Sequence, residues 1–342
     1  MAEKLQGQTV NFHNPPQIVS HGSVVGPEEG KGPLGRCFDL VCQDPKCGQE
    51  SWEKGERRMV EQAIELVLGK AGFSINELNL IIGGDLLDQI VISNLVARNY
   101  DLPFLGLYGA CSTMIEALAL GSICLDGGFA DNILAFTSSH YQTAERQFRT
   151  PLEYGAQYPP SKQWTVTGAG AYILATAGGQ VWITHATLGK VIDLGQTDSN
   201  DMGSAMAPAA ADTIIQHFLD LNRGPRDYDL IITGDLGDVG KNMLNRLLAE
   251  HEIKPGNKLK DCGGMILDDS KRYGAGGSGC ASVAVVLGSY VLPEIVKGHW
   301  HRVLVLGNGA LMSPISLQQQ ETIPAIAHAL VLEKIPGGEQ SG

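Results

Sequence analysis

Short β-branched apolar runs alternate along this chain with longer segments whose apolar residues recur at helical spacing, and the alternation is repeated. Asn79–Asp88 reads NLIIGGDLLD and Asp229–Asp238 reads DLIITGDLGD, identical at seven of ten positions and 150 residues apart. Each reads as a buried strand running into a turn at Gly-Asp. Each follows a segment with apolar residues on one helix face, Glu61–Lys70 in the first copy and Asp212–Leu221 in the second. Pro208 fits the first turn of the second of these helices, where a missing N–H loses no helical bond.

The copies continue in step. In the first, a strand near Phe104–Tyr108 meets a turn at Ala110-Cys111-Ser112, and a helix of small and apolar residues follows to Leu125. In the second, the glycine-rich turn Gly274–Gly279 leads into a helix from Cys280 to Val296. Strands are expected next at Asp131–Ser139 and His301–Gly309, with closing strands at Ala171–Ala175 and Ala327–Leu332. The pattern predicts an α/β fold of two duplicated βαβ-rich halves, residues 1–195 and 196–342, in a layered α-β-α-β-α arrangement. A pseudo-two-fold axis then sets equivalent loops opposite one another, with a cleft at the C-terminal ends of the strands.

Composition narrows the function classes. The 342 residues are 43% hydrophobic, enough for a large core. The formal charge of −12 argues against a nucleic-acid partner and, more weakly, against direct docking on an anionic membrane. The start, MAEKLQGQTVNF, lacks the apolar stretch of a signal peptide, and no run of 18 apolar residues predicts a membrane span. A cytoplasmic type of protein is expected. The seven cysteines sit mostly in apolar or glycine-rich segments and are expected to be reduced thiols. Cys37, Cys42 and Cys47 are evenly spaced, but without CxxC pairing, a nearby histidine or a fourth ligand no metal centre is assigned.

The stretch from Leu80 to His140, above all ARNYDLPFLGLYGACSTMIEALALGSICLDG, resembles the nucleophile segment of the thiolase superfamily, particularly of initiating ketoacyl synthases. The resemblance implies a thiolase-like fold in which Cys111 sits on a strained turn opening a buried helix, whose first amides favour a thiolate. A closer match covers nearly the whole chain. GPLG, QESWE, GDLLDQ, GACST, TSSHYQTAERQFR, DMGSAMAPAAADT, GGSGCA and QQQETIPAIAH make it similar to the stage V sporulation protein AD family of spore-forming bacteria. That resemblance implies a role in moving dipicolinic acid, with calcium, into the developing spore, peripheral to the forespore inner membrane and beside membrane proteins of the same operon. The superfamily also implies a homodimer formed through the edge of the first-half sheet. Ser199, where proline is expected, and Cys37 and Cys42 depart from the family's pattern.

Condensing enzymes of this superfamily need His-His or His-Asn partners for their cysteine. The first place reads Thr233-Gly234-Asp235-Leu236 here, and the second Gly276-Gly277-Ser278-Gly279. A second thiolase-type cysteine would fall near Tyr273, and Cys280 is expected inside the helix. The expectation is therefore a non-catalytic ligand-binding protein. The alternatives are a condensing enzyme or acyltransferase using Cys111 on an acyl-CoA, and a scaffold with a vestigial cleft.

Dipicolinate is a flat ring between two carboxylates, so its site needs donors at two ends and apolar walls between. Amides at the helix start, Cys111, Ser112 and Thr113, are expected at one end, opposite Gly276, Gly277 and Ser278. Among charged candidates, His140 ends a strand and could face Cys111, unless it is a satisfied structural histidine. Arg146 and Arg149 offer guanidinium forks, unless they pair with Glu145 or Glu153. Lys190 is a weaker candidate. The repeat-related acids Asp85 and Asp235 lie beside the cleft and either hold calcium that enters with the ligand or cap adjacent turns. No cofactor is expected. The polar segment Asp198–Pro208 reads as a lid or docking loop.

Overall fold

A computed structural model of the chain describes residues 7–148 and 159–335. The central strands are apolar runs buried on both faces. The first half contributes β1 (Gln17–Val25), β2 (Leu80–Asp85), β3 (Phe104–Gly106), β4 (Asn132–Ser139) and β5 (Gly168–Ala175). The second sheet section is formed by β6 (Val181–Thr187), which precedes the expected boundary at residue 195, with β7 (Leu230–Thr233), β8 (Leu259–Asp261), β9 (Arg302–Ala310) and β10 (Ala325–Lys334). Spatial order is β3-β2-β4-β5-β1 followed by β6-β10-β9-β7-β8. Each strand of the first half thus has a counterpart in the second, with parallel pairs at the outer edge and antiparallel pairs toward the middle. The sections join through a short antiparallel contact, Gln17 with Trp182 and Ile18 with Val181.

The helices are α1 (Trp52–Ala71), α2 (Val91–Ala97), α3 (Thr113–Asp126), α4 (Tyr141–Phe148), α5 (Met202–Leu221), α6 (Gly237–Glu250) and α7 (Cys280–Lys297), the last containing a π turn at Leu287–Val291. Met114, Ile115 and Leu118 of α3 and Val283, Val285 and Leu287 of α7 share one buried cluster with strand residues of both sections, so these two helices form the middle layer. Met59, Ile64 and Val67 of α1 cover the first section from outside, and Met206, Ile214 and Phe218 of α5 cover the second. The result is the α-β-α-β-α layering expected of a thiolase-like fold. Helix α7 is long and apolar enough to cross a membrane, but 72% of it is buried within the protein, as befits a central core helix.

The structure corrects three expectations. Helix α5 starts at Met202, where Asp201 accepts from the Ser204 amide at 3.3 Å, so Pro208 lies inside the helix rather than in its first turn. Most of the expected lid is therefore helical. The thiols are not all reduced: Cys42 and Cys47 form a disulfide, their Cα atoms drawn to 5.2 Å by a tight turn in which Cys47 is left-handed. Two of the three evenly spaced cysteines are thus unavailable to a metal, while Cys37 is free and exposed.

Candidate functional site

Between β3 and α3 the chain makes the turn that carries Cys111. Ala110 is held at φ 50°, a left-handed conformation that a residue with a Cβ adopts at a cost of about 1–3 kcal/mol. Local bonds enforce it: Ser112 Oγ donates to the Gly109 carbonyl at 2.7 Å and Thr113 Oγ1 to the Ala110 carbonyl at 2.6 Å. Strand β9 passes close behind because it has no side chains there. A Cβ on Gly309 would overlap the Gly109 carbonyl, and one on Gly307 would press on Ile115. Cys111 is thereby fixed, almost wholly buried, at the head of the middle layer. Cys280 opens the other middle helix after Gly279, at φ 99°, and its thiol donates to the Ser138 carbonyl at 3.0 Å. The two cysteines share a small buried cluster with Leu86, Ala110 and Ala144.

The repeat-related acids do different things. Asp85 caps its own turn, accepting from the Leu87 amide at 3.1 Å and from the Ser93 amide and hydroxyl, each at 2.7 Å. In the second half that job belongs to Asp261, which accepts from the Leu236 and Gly237 amides and from Thr233 Oγ1. Asp235 is released by this exchange and turns inward. It accepts from Ser278 Oγ at 3.1 Å, the Gly279 amide at 3.0 Å and Asn308 Nδ2 at 3.3 Å, and it is hydrogen-bonded to the Cys111 thiol. Burial raises its carboxyl to about 7. Burial first, and then the charge of Asp235, pushes the Cys111 thiol well above its ordinary range. Across the same core, burial and the neighbouring Asp85 raise Glu56 to about 8, and Glu56 accepts from Ser138 Oγ and Thr143 Oγ1.

In front of Cys111 lies a cavity whose walls include Leu86, Tyr108, Phe148, Met202 and Met312, with Glu145, Thr165 and Ser278 as polar points. Its free space is about 30 Å³. A ring-sized ligand therefore requires part of the wall to move aside, which the unbranched thioether side chains of Met202 and Met312 do readily.

The expected residues separate against this geometry. Cys111 and Ser278 line the cavity and Asp235 bonds both. Ser112 and Thr113 lie in the turn, their amides bonded to Gly109 and Ala110 carbonyls. The Gly276 amide donates to Tyr273, and Gly277 pairs with Trp164 in a two-stranded ladder. An anion at this end would have to take the Gly279 amide from Asp235. His140 is buried and its Nε2–H donates to the Pro45 carbonyl at 2.7 Å, with burial lowering its pKa, so its ring is anchored on the disulfide loop. Arg146 pairs with Glu53 and lies 5.6 Å over the Trp52 ring, so its partner is neither acid expected from sequence. Arg149 lies outside the described residues, and Lys190 is exposed. Sequence reasoning missed Asp261 and Asn308. The doublet Asp261-Cys262 has no counterpart in the repeat, but Asn308 sits in the strand motif GNG, where a polar residue between glycines was a usable signal.

The architecture has known relatives among condensing enzymes. A 3-oxoacyl-[acyl-carrier-protein] synthase III from Aquifex aeolicus matches with a TM-score of 0.58 at 15% identity, over 93% of this chain and 99% of that one. A variant of OleA from Xanthomonas campestris matches with a TM-score of 0.60 at 15% identity, over 94% and 99%. The fold is that of the thiolase and ketoacyl-synthase class. Within that class, the family model for stage V sporulation protein AD matches residues 6–333. Stage V sporulation protein AD of Bacillus subtilis (strain 168) is 50% identical over 335 residues, covering 98% of this chain and 99% of that protein. The chain belongs to the stage V sporulation protein AD family, and is a sporulation protein on a thiolase-like fold.

Proposed function

We propose that this protein is a non-catalytic binder of dipicolinic acid, taken up as its calcium chelate, and that it assists uptake of that ligand into the developing spore. The observation that carries the reading is the Cys111–Asp235 pair. A condensing enzyme must ionise its cysteine beside a base. Here the thiol faces a buried acid, and both burial and that acid oppose the thiolate. What remains of the catalytic centre is a hollow with apolar walls and a few polar points, the kind of site that orients a small planar ligand.

A one-to-one calcium chelate of dipicolinate is neutral, which suits a cavity whose walls are mostly apolar and whose Glu145 is already paired with Lys162. Among the described residues no three His, Cys, Asp or Glu side chains gather as a metal cage. Calcium is accordingly read as part of the cargo. The protein would work at the forespore inner membrane with membrane proteins of its operon, as a homodimer through the β3 edge, where Leu105 is exposed.

The test is isothermal titration with dipicolinate, with and without calcium, on the wild type and on Ala144→Leu, which fills the cavity. Saturable one-site heat, strengthened by calcium and weakened by the substitution, is expected. No heat under either condition would overturn the reading and return Cys111 to consideration as an acyl-CoA nucleophile.

A further inference from the structure

On the outer side of the ladder that walls the Cys111 cavity lies a second, larger hollow of about 370 Å³, within the size range of ordinary small-ligand pockets. Three aromatic residues line it. Trp164 stacks on Tyr141 with centroids 3.6 Å apart, and Tyr273 stands edge-on to Trp164 at 5.4 Å. Its charged lining residues are Lys162, Lys271 and Arg272, with no acidic side chain among the described residues that face it. Two of these cations are ion-paired with acids just outside the lining, Lys162 with Glu145 and Arg272 with Glu28, so the exposed Lys271 gives the groove its surplus charge among the described residues. Arg272 is held in place, bonded to Glu28 at 2.5 Å and lying 5.3 Å over the Tyr273 ring.

Two adjacent lining residues also carry buried polar atoms without partners. Trp164 Nε1 has no acceptor. Gln163 spends its Nε2 on the Asp235 and Gly277 carbonyls, at 2.6 and 3.2 Å, which leaves its Oε1 unpaired. Buried polar atoms are nearly always satisfied, so these two mark the wall of the hollow as short of polar partners. Aromatic walls select a flat ring, and Lys271 with the fixed Arg272 selects an anion.

We propose that this groove is an outer binding site for a single planar aromatic ring bearing carboxylate. For the identity of its natural ligand the inference rests on the preceding reading, since dipicolinate belongs to that class. The groove adjoins the inner cavity: Trp164 and Lys162 line the groove while Thr165 and Glu145 line the cavity, and Lys162 bridges the two by its 3.3 Å ion pair with Glu145. The groove is a first station next to the inner one.

The experiment follows the Trp164 indole N–H resonance of the full chain, labelled with 15N-tryptophan, while benzoate and dipicolinate are titrated separately. Trp164→Phe assigns the signal. Lys271→Glu, at an exposed position, tests the charge requirement. Saturable movement of this signal with either probe, weakened roughly tenfold by Lys271→Glu, is expected. An unmoved signal with both probes at millimolar concentration overturns the proposal, and so does binding that Lys271→Glu leaves unchanged. Ala144→Leu is titrated alongside. If the inner-site reading fails while the groove stands, the Trp164 signal still moves with benzoate and Ala144→Leu has no effect.

Discussion

Replacing Asp235 by asparagine should make the protein more stable at neutral and alkaline pH, and the size of the effect follows from where that carboxyl sits. Burial carries it from an ordinary value of 3.8 to about 7. The folded chain therefore keeps a proton that the unfolded chain has released, and wild-type stability falls as pH rises from about 4 to about 7 and is flat above that. Each tenfold change in proton affinity is worth about 1.4 kcal/mol, so the whole displacement amounts to about 4 kcal/mol, of which about 3 kcal/mol lies between pH 5 and pH 8. Asp235 is 1% exposed, so solvent screening does not reduce this materially.

The amide can be accommodated. Its oxygen keeps the Gly279 amide and Ser278 hydroxyl, while its nitrogen faces Asn308. Asn308 Oδ1 has no partner at present, so a flip of that side chain turns an orphaned acceptor toward the new donor. Glu29 and Glu56 are also raised by burial, but their contributions to the pH slope are present in both proteins and cancel in the difference. The assay is urea unfolding of both proteins at pH 5 and pH 8. The stability difference should move by about 3 kcal/mol in favour of Asp235→Asn between the two. A difference that is the same at both pH values refutes the buried-proton account of the site.

Three further outcomes are expected. Under native conditions at neutral pH, iodoacetamide should label exposed Cys37 rapidly and Cys111 hardly at all, read by peptide mass spectrometry; rapid labelling of Cys111 would mean an activated thiol. His217 is buried between Thr187 Oγ1 and the Tyr228 hydroxyl, each at 2.6 Å, and burial, then His185 and Arg223, lower it to about 3. Because the unfolded chain takes up this proton below pH 6.5 and the folded chain resists it, stability should fall as pH drops from 6.5 toward 3, less steeply in His217→Gln; parallel slopes in urea titrations count against it. Removing the Cys42–Cys47 bridge, a five-residue separation, with paired serine substitutions should cost about 2 kcal/mol; an unchanged urea midpoint would show that the bridge does not constrain the chain.

The duplication was legible because its two Gly-Asp turns are nearly identical and lie between clean strand and helix patterns, and the layered fold follows from that alternation. Helix α5 was harder. Its first turns, MGSAMAP, are so rich in small residues that no apolar face stands out, and a proline near a run of polar residues reads as a loop. The roles of Asp85 and Asp235 could not be told apart along the chain. What separates them is Asp261, 26 residues beyond Asp235, which takes over the capping bonds only once β8 lies beside β7. His140 ends its strand as expected, but its side chain meets Pro45, whose position depends on the turn closed by Cys42 and Cys47. Long-range partners of this kind leave no periodic trace.

The strand order also bears on synthesis. Every strand of the first section has been made by Ala175, so that sheet can close while later parts of the chain are still being made. The second section cannot, because β10 lies between β6 and β9 and its residues, Ala325–Lys334, come last among its strands. Until then β6 and β9 each lack the partner that lies between them, and a released chain truncated just before Ala325 would expose both edges to other polypeptides.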